Sequence, residues 1–258
     1  MIPVYSISKP FLAQAVLELG VPLDSRISEH VPQLSPTYAS RTIGALLNHT
    51  SGLADYGFLP EYHAAVEARE SAWSRAELLE RCLVFPHEFE GFQYSNVGYL
   101  LLRMLVEEAT GLEYFEALEQ LVFDPLQIDA FAKWEEAAEV VPGYDPKWVY
   151  SGTFMGDPAK IADALAQLVK HRSETLGLSR GTVAVHQENT GFETPGYGYG
   201  LMVDVDSPED SPRFAGHGGG GPGFGLMALV STETCIGRLE YSTNDFNQTA
   251  AILRLRRY

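Results

Sequence analysis

Ser6 and Lys9 lie near the start of the chain, separated by two residues, in the segment SISK. Residues three apart lie on one face of a helix, so the Ser6 hydroxyl and the Lys9 amine can meet. A lysine buried near the positive end of a helix has a lowered pKa. It can then accept the serine proton and make the serine a nucleophile at neutral pH. Taken alone, this common spacing favours a helix cap followed by an exposed lysine.

A second candidate group is Tyr94-Ser95-Asn96, at the start of the strongest helical pattern in the chain. A tyrosine held beside a lysine can act as a general base, and a nearby amide can orient a substrate carbonyl. The alternative is structural, with Ser95 as the helix N-cap and Tyr94 as a hydrophobic staple. In a chain with 13 tyrosines, the structural interpretation is the stronger one for this motif alone.

The third candidate is the stretch 217–223, HGGGGPG, which the pattern places between two strands. Glycines let a substrate backbone approach closely and leave amide N–H groups free to bind an oxyanion. A phosphate-binding loop is a rival interpretation, but neither a Gly-Lys-Ser/Thr ending nor a helix follows. A purely structural glycine loop remains open on this pattern alone.

The elements that must position these residues are helical first and extended last. Apolar spacing and capping residues predict a helix that begins near Ser6 and ends at Gly20, followed by Ile43–His49, Ser74–Leu83, Asn96–Thr110, Tyr114–Phe123 and Ala159–Lys170. Short β-branched or aromatic segments predict strands at Thr182–His186, Tyr197–Val205, Phe224–Ser231 and Gly237–Ser242, with a closing helix at Phe246–Arg257. This order predicts an α/β (α+β) sandwich.

Composition limits the classes of partner and site. The 258 residues hold 18 Lys and Arg against 34 Asp and Glu, which gives a net charge of −16. A surface of that sign repels phosphate backbones, so nucleic acid is a poor partner. No apolar run approaches the ~20 residues that a membrane-spanning helix needs. The two cysteines, Cys82 and Cys235, cannot form a disulfide framework, and no Cys/His spacing resembles a zinc site.

The three motifs together carry more information than each alone. Ser-x-x-Lys, then Tyr-x-Asn about 88 residues later, then His-x-Gly about 121 residues further on, resemble the serine β-lactamase and penicillin-binding protein superfamily. The branch they resemble is the one related to class C β-lactamases, with its esterases, D-aminopeptidases and D,D-carboxypeptidases. Similar segments at 21–34, 42–53, 121–126, 150–163 and 196–201 extend the resemblance over nearly the whole chain.

This resemblance implies a fold and a domain organisation. The fold is an antiparallel β-sheet flanked by helices, with an inserted all-helical domain. We expect one catalytic unit over 1–258, in which a mostly helical subdomain at about 50–180 lies between the α/β halves 1–49 and 181–258.

The resemblance also implies roles for individual residues. Ser6 would attack a carbonyl carbon and form an acyl-enzyme, while Lys9 and Tyr94 would move protons as general base and later as acid. Asn96 would hold the substrate amide or the Lys9 side chain. No metal or organic cofactor is expected.

The glycine-rich stretch would complete that site. The backbone N–H groups of Ser6 and Gly220 would form the oxyanion hole, with Gly219 beside them on the substrate. His217 occupies a position where many β-lactamases have a lysine that binds the β-lactam carboxylate, and histidine carries full charge only below its pKa. We therefore rank a small ester or a D-amino-acid-containing amide or peptide above a β-lactam as the substrate. The alternatives are a β-lactamase or penicillin-binding protein, or a catalytically impaired relative that binds peptide-like ligands.

The position of Ser6 differs from that in relatives, which usually place about 50 or more residues before the nucleophile. Here five residues precede Ser6, so the sheet is expected to lack its N-terminal strands and to have a free edge. Such an edge predicts either pairing with a second copy of the chain or a weakened, inactive site. The sequence as it stands favours a cytoplasmic protein, and a missing N-terminal segment would favour a periplasmic or secreted one.

Overall fold

The computed structural model describes residues 1–136, 140–173, 176–178, 182–187, 190–205 and 212–257. The α-helices of these residues are α1 (Ser8–Glu18), α2 (Pro36–Ala39), α3 (Ile43–Leu47), α4 (Pro60–Glu67), α5 (Arg75–Cys82), α6 (Asn96–Thr110), α7 (Tyr114–Leu118), α8 (Ile161–Arg172) and α9 (Gln248–Leu255). The strands are β1 (Ile2–Pro3), β2 (Phe131–Ala132), β3 (Met155–Gly156), β4 (Val183–Ala184), β5 (Pro195–Tyr197), β6 (Met202–Asp204), β7 (Phe214–Gly221), β8 (Phe224–Ser231) and β9 (Ile236–Ser242).

The larger of the two sheets in the described residues has six strands in the order β4-β5-β6-β7-β8-β9. Each strand pairs antiparallel with its neighbour, and β7 and β8 form a hairpin whose turn is Pro222-Gly223. The smaller sheet has the order β1-β3-β2 and is also antiparallel. The predicted antiparallel architecture is confirmed.

Helices cover both faces of the large sheet. On one face α8 approaches so closely that a Cβ atom at Gly237 of β9 would lie 2.1 Å from the carbonyl oxygen of Ala162. On the other face, apolar side chains of α9 pack against β8 in a small core of their own: Met227, Leu229, Ala251, Ile252 and Leu255. The sheet is therefore held rigidly between two layers of helix.

Helix α6 begins and ends where its sequence pattern predicts. The Ser95 side chain caps its N-terminus by accepting the N–H of Gly98, and Gly111 ends it in the left-handed conformation at φ 69°. Val97, Leu101 and Leu105 on its apolar side are completely buried. This helix crosses the core beside α1, which brings the first two candidate motifs together.

Three predicted elements differ in the structure. The stretch 217–223 was expected to be a loop, but residues through Gly221 belong to β7, because β8 supplies a complete hydrogen-bonding partner. The predicted strand Tyr197–Val205 is two strands, β5 and β6, joined by a turn in which Gly200 has φ 79°. Helix α1 begins at Ser8, after a single 3-10 turn at Tyr5–Ile7.

The predicted boundary between the helical subdomain and the last segment, at 180/181, lies outside the described residues. Of the helices that the structure describes, none has both the length and the apolar character needed to cross a membrane.

Candidate active site

Ser6 lies in the 3-10 turn that leads into α1. The preceding residue, Tyr5, has φ 45°, a left-handed conformation that is unfavourable for a bulky side chain. Two tertiary hydrogen bonds hold it there: its N–H donates to Thr153 Oγ1 at 3.0 Å, and its hydroxyl donates to the carbonyl oxygen of Pro222 at 2.6 Å. The turn is therefore fixed at both the backbone and the side chain, and it presents the Ser6 hydroxyl to solvent-accessible space.

The Ser6 hydroxyl lies between an amine and a phenol. Lys9 Nζ and Tyr94 OH each lie 3.1 Å from Ser6 Oγ. Lys9 comes from the first turn of α1, whereas Tyr94 comes from the segment directly before α6. The structure thus brings together the first two motifs of the sequence, and both potential proton-transfer groups are within hydrogen-bond distance of the Ser6 hydroxyl.

Lys9 is completely buried and its amine has three hydrogen-bond acceptors. Besides Ser6 Oγ, it donates to Asn96 Oδ1 at 2.7 Å and to Ser151 Oγ at 3.2 Å. Burial lowers the pKa of Lys9 to about 7, and the nearby Asp55 carboxylate opposes that shift. At neutral pH a large fraction of this amine is therefore uncharged and able to accept a proton.

Tyr94 keeps its phenolic proton. Burial raises the pKa of Tyr94 far above its usual value, and its hydrogen bond to Ser6 only partly opposes that change. The buried ring of His49 packs against it with 4.4 Å between ring centroids, and His49 Nδ1 accepts the N–H of Ser95 at 3.1 Å. Ser95 caps α6, as the structural interpretation of the Tyr-Ser-Asn motif predicts, and Tyr94 reaches the Ser6 hydroxyl, as its functional interpretation requires.

The glycine-rich strand β7 places Gly220 beside the same turn. Gly221 pairs with Phe224 across the two-residue turn, and Gly220 pairs with Gly225. Hydrogen-bonded and non-hydrogen-bonded pairs alternate in an antiparallel ladder, and the pair that closes a two-residue turn is hydrogen-bonded. The Gly220 N–H therefore faces away from β8 and is free to bind an oxyanion. Gly219 packs closely instead, since a Cβ there would lie 2.5 Å from the Val4 carbonyl oxygen.

His217 is buried in β7 with both ring nitrogens engaged. Nδ1 lies 2.5 Å from the carbonyl oxygen of Gly218, which can only accept, so Nδ1 carries the proton. Nε2 consequently accepts from the hydroxyl of Tyr197 at 2.9 Å. Burial, followed by the charge of Lys9, lowers the pKa of His217 to about 3. The imidazole is thus neutral across the physiological range and supplies no positive charge to a substrate.

Two cavities open from the Ser6 hydroxyl. The larger has a volume of about 450 Å³, contains Tyr94 and His217 in its wall, and is otherwise mostly apolar. The smaller has a volume of about 140 Å³ and includes Asp55 and Asn96. In the described part of the chain, no group of three or more His, Cys, Asp or Glu side chains is arranged to hold a metal ion.

The chain that carries this arrangement of serine, lysine, tyrosine and glycine-rich strand matches a known protein family. The family model described as Beta-lactamase matches residues 1–254. The chain belongs to the beta-lactamase family. That membership confirms the resemblance drawn from the three sequence motifs.

The chain is similar to curated proteins of two different names. The chain is 27% identical over 261 residues to penicillin-binding protein 4* of Bacillus subtilis, covering 87% of this chain and 56% of that protein. It is 27% identical over 244 residues to a D-aminopeptidase of Brucella anthropi, covering 84% of this chain and 44% of that protein. The chain thus spans about half the length of the curated relatives that it matches.

Solved structures support the same fold. A D-stereospecific amidohydrolase from Streptomyces superimposes with a TM-score of 0.75 and 25% identity, over 93% of this chain and 81% of that chain. The D-amino acid amidase of Ochrobactrum anthropi SV3 superimposes with a TM-score of 0.74 and 22% identity, over 99% of this chain and 84% of that chain. The predicted fold class is therefore confirmed as that of the beta-lactamase family.

Sequence reasoning assigned no role to three residues that the structure places at this site of a beta-lactamase family member. Ser151 bonds to the Lys9 amine, Tyr197 bonds to His217, and Asp55 accepts the N–H of Asn96. Ser151 had a weak signal, because it lies in the segment 150–163 that resembles the family. Tyr197 had a signal of the same kind, because it lies in the similar segment 196–201. Asp55 had none, since a single acidic residue carries no spacing information.

Proposed function

We propose that the chain is a serine hydrolase that acts through an acyl-enzyme on a small ester or a D-amino-acid-containing amide. The observation that carries this proposal is the position of Ser6 Oγ, 3.1 Å from both the Lys9 amine and the Tyr94 hydroxyl. An uncharged amine and a protonated phenol on one serine are a base and an acid for acyl transfer. The names of relatives, a D-aminopeptidase and a D-stereospecific amidohydrolase, favour the D-amino-acid class.

Acylation follows from the geometry. The neutral Lys9 amine accepts the proton of the Ser6 hydroxyl as Oγ attacks the substrate carbonyl carbon. The negative charge that develops on the carbonyl oxygen is stabilised by the N–H groups of Ser6 and Gly220. Tyr94 donates its proton to the leaving nitrogen or oxygen as the carbonyl–heteroatom bond breaks, and the proton held by Lys9 restores the phenol.

Deacylation uses the same groups in reverse. A water molecule gives a proton to the Lys9 amine and attacks the acyl carbon. The bond between that carbon and Ser6 Oγ then breaks. Oγ takes back a proton, which leaves the free acid and the original enzyme. Asn96 and Ser151 hold the Lys9 amine in place through both half-reactions.

The test is intact-mass spectrometry after incubation with a fluorophosphonate and, separately, with a penicillin. We expect one phosphonate adduct on the wild-type chain and none on Ser6→Ala. Absence of an adduct on the wild-type chain would reject a working nucleophile and favour a ligand-binding relative. Penicillin labelling as fast as phosphonate labelling would favour a penicillin-binding protein or β-lactamase, an alternative supported by the relative from Bacillus subtilis.

Pairing of two copies through a sheet edge is proposed at β9, which is the last strand of the described six-stranded sheet. Ile236 and Tyr241 on this strand are 52% and 46% exposed. An exposed edge with apolar side chains is a template for another strand. Sedimentation equilibrium should give a dimer that Ile236→Lys weakens, and a wild-type monomer at all concentrations would reject the interface.

The cytoplasmic location expected from the sequence stays a prediction.

A further inference from the structure

The two cavities beside Ser6 have different walls. Tyr94 and His217 line only the larger cavity, whereas Asp55 and Asn96 line only the smaller one. Gly220 and Ser6 belong to both, so the oxyanion hole and the nucleophile stand at their junction. A substrate whose carbonyl carbon is attacked by Ser6 must therefore extend into both cavities.

The position of Tyr94 decides which part of the substrate enters which cavity. The leaving nitrogen or oxygen must lie next to the group that protonates it. Because Tyr94 is in the wall of the larger cavity, the leaving group belongs in that cavity. The acyl part, which stays on Ser6, then belongs in the smaller cavity of about 140 Å³. This volume admits only a small acyl group.

The smaller cavity contains a buried carboxylate. Asp55 is only 8% exposed, its Oδ1 accepts the N–H of Gly57 at 2.6 Å, and its Oδ2 accepts the N–H of Asn96. Two carboxylate oxygens have about four acceptor sites, so each oxygen can accept a further hydrogen bond. None of the ion pairs of the described residues includes Asp55. Burial raises the pKa of Asp55, and the two backbone N–H groups and the charge of Lys9, which lies beyond ion-pair distance, only partly oppose that shift. A cation placed against the free lone pairs would therefore stabilise the carboxylate further.

Four tyrosines contribute to the same wall. Tyr5, Tyr56, Tyr62 and Tyr144 all line the smaller cavity. The hydroxyls of Tyr5 and Tyr62 are already bonded to backbone carbonyl oxygens, so the rings are what these residues offer a ligand. Ring faces attract an ammonium group. Arg69 acts on Tyr5 and Tyr144 from nearby, but it is not among the residues that line the cavity.

We propose that the smaller cavity binds the free ammonium group of an α-amino acyl substrate, with Asp55 as its counter-ion. The substrate is then a small α-amino ester or amide with an unblocked amine, cleaved on the carbonyl side of that amino acid. This inference rests on the proposed hydrolase function and narrows its substrate. A substrate with an acylated or missing amine leaves Asp55 without its cation.

The test compares D-alanine p-nitroanilide with isobutyryl p-nitroanilide, in which a methyl group replaces the ammonium at nearly the same size. We expect the wild-type chain to prefer the amine substrate in kcat/KM by at least ~10-fold, as a charge-assisted hydrogen bond implies. Asp55→Asn should reduce that preference by at least ~10-fold. Comparing the ratio between the two proteins removes the intrinsic difference in reactivity between the substrates.

Two further measurements do not depend on whether Asp55→Asn folds. On the wild-type chain, the preference should decline above pH ~8, where an α-amino group loses its proton. Tyr144→Leu should reduce the preference, while the matched control Tyr144→Phe, which keeps the ring, should retain it. Equal rates for the two substrates at every pH would overturn the ammonium site and leave the hydrolase proposal intact. Failure of the wild-type chain to hydrolyse any ester or anilide would instead reject the hydrolase function itself.

Discussion

The amine of Lys9 lies 2.7 Å from Oδ1 of Asn96, closer than its 3.1 Å distance to the Ser6 hydroxyl. Lys9 is on α1 and Asn96 is the first residue of α6, so this contact joins the two helices at the site. The amine is thus positioned by a neutral acceptor that is separate from the Ser6 hydroxyl. A neutral acceptor also leaves the lowered pKa of Lys9 to be set mainly by burial.

The first prediction concerns pH. If Lys9 is the base, kcat/KM for p-nitrophenyl acetate should fall about tenfold for each pH unit below an apparent pKa of about 7. The rate falls at low pH because the amine is then protonated and unable to accept the serine proton. Steady-state rates between pH 5 and 9 give the profile. A profile that is flat from pH 5 to 8 would remove Lys9 as the base.

A second prediction uses Asn96→Asp, which adds a negative charge next to the amine. An adjacent carboxylate favours the ammonium form, so the acid limb of the pH profile should move upward by about one pH unit or more. The control is Ser151→Ala, which removes another acceptor of Lys9 without adding charge and should move the limb less. If the acid limb of the pH profile does not move in Asn96→Asp, its pKa belongs to a group other than Lys9.

The residues of this site differ in how far the sequence could predict them. Ser6 with Lys9, and α6 with its cap, depend on spacing within one helix, and local patterns record such spacing directly. The strand β7 was misassigned because six glycines between 216 and 223 read as a loop, whereas pairing with β8 decides its conformation. The bond from Lys9 to Ser151 spans 142 positions, and no local pattern encodes a contact at that separation.

A third prediction concerns stability. Since the folded chain holds Lys9 at a pKa of about 7 against 10.5 in the open, the penalty for its buried charge is greatest below pH 7 and declines as pH rises towards 10.5. Lys9→Met removes that penalty. It should raise the melting temperature at pH 6, with a smaller gain at pH 9, while reducing acylation by at least ~100-fold. Calorimetry at both pH values checks this. A gain in melting temperature that is larger at pH 9 than at pH 6 would contradict this prediction.

A fourth prediction separates two adjacent glycines of β7. A Cβ at Gly219 would lie 2.5 Å from the Val4 carbonyl oxygen, so Gly219→Ala should destabilise the fold by about 1–3 kcal/mol. At Gly220 a Cβ would meet no heavy atom within 4 Å, and that residue lines both cavities. Gly220→Ala should therefore leave the melting temperature within about 1 °C of wild type, because nothing is displaced.

The same pair should differ in catalysis. The methyl group of Gly220→Ala would lie in open space at a residue that lines both cavities, so we expect it to crowd the substrate and to lower kcat/KM at least ~10-fold in a fully folded protein. In Gly219→Ala the loss of activity should instead follow the loss of folded protein, and the folded fraction should retain its rate per active site, counted by phosphonate titration. A normal rate in Gly220→Ala would show that the added methyl group does not reach the bound substrate. A normal melting temperature in Gly219→Ala would show that Val4 moves away easily, and that the nucleophile turn is less rigid than its hydrogen bonds indicate.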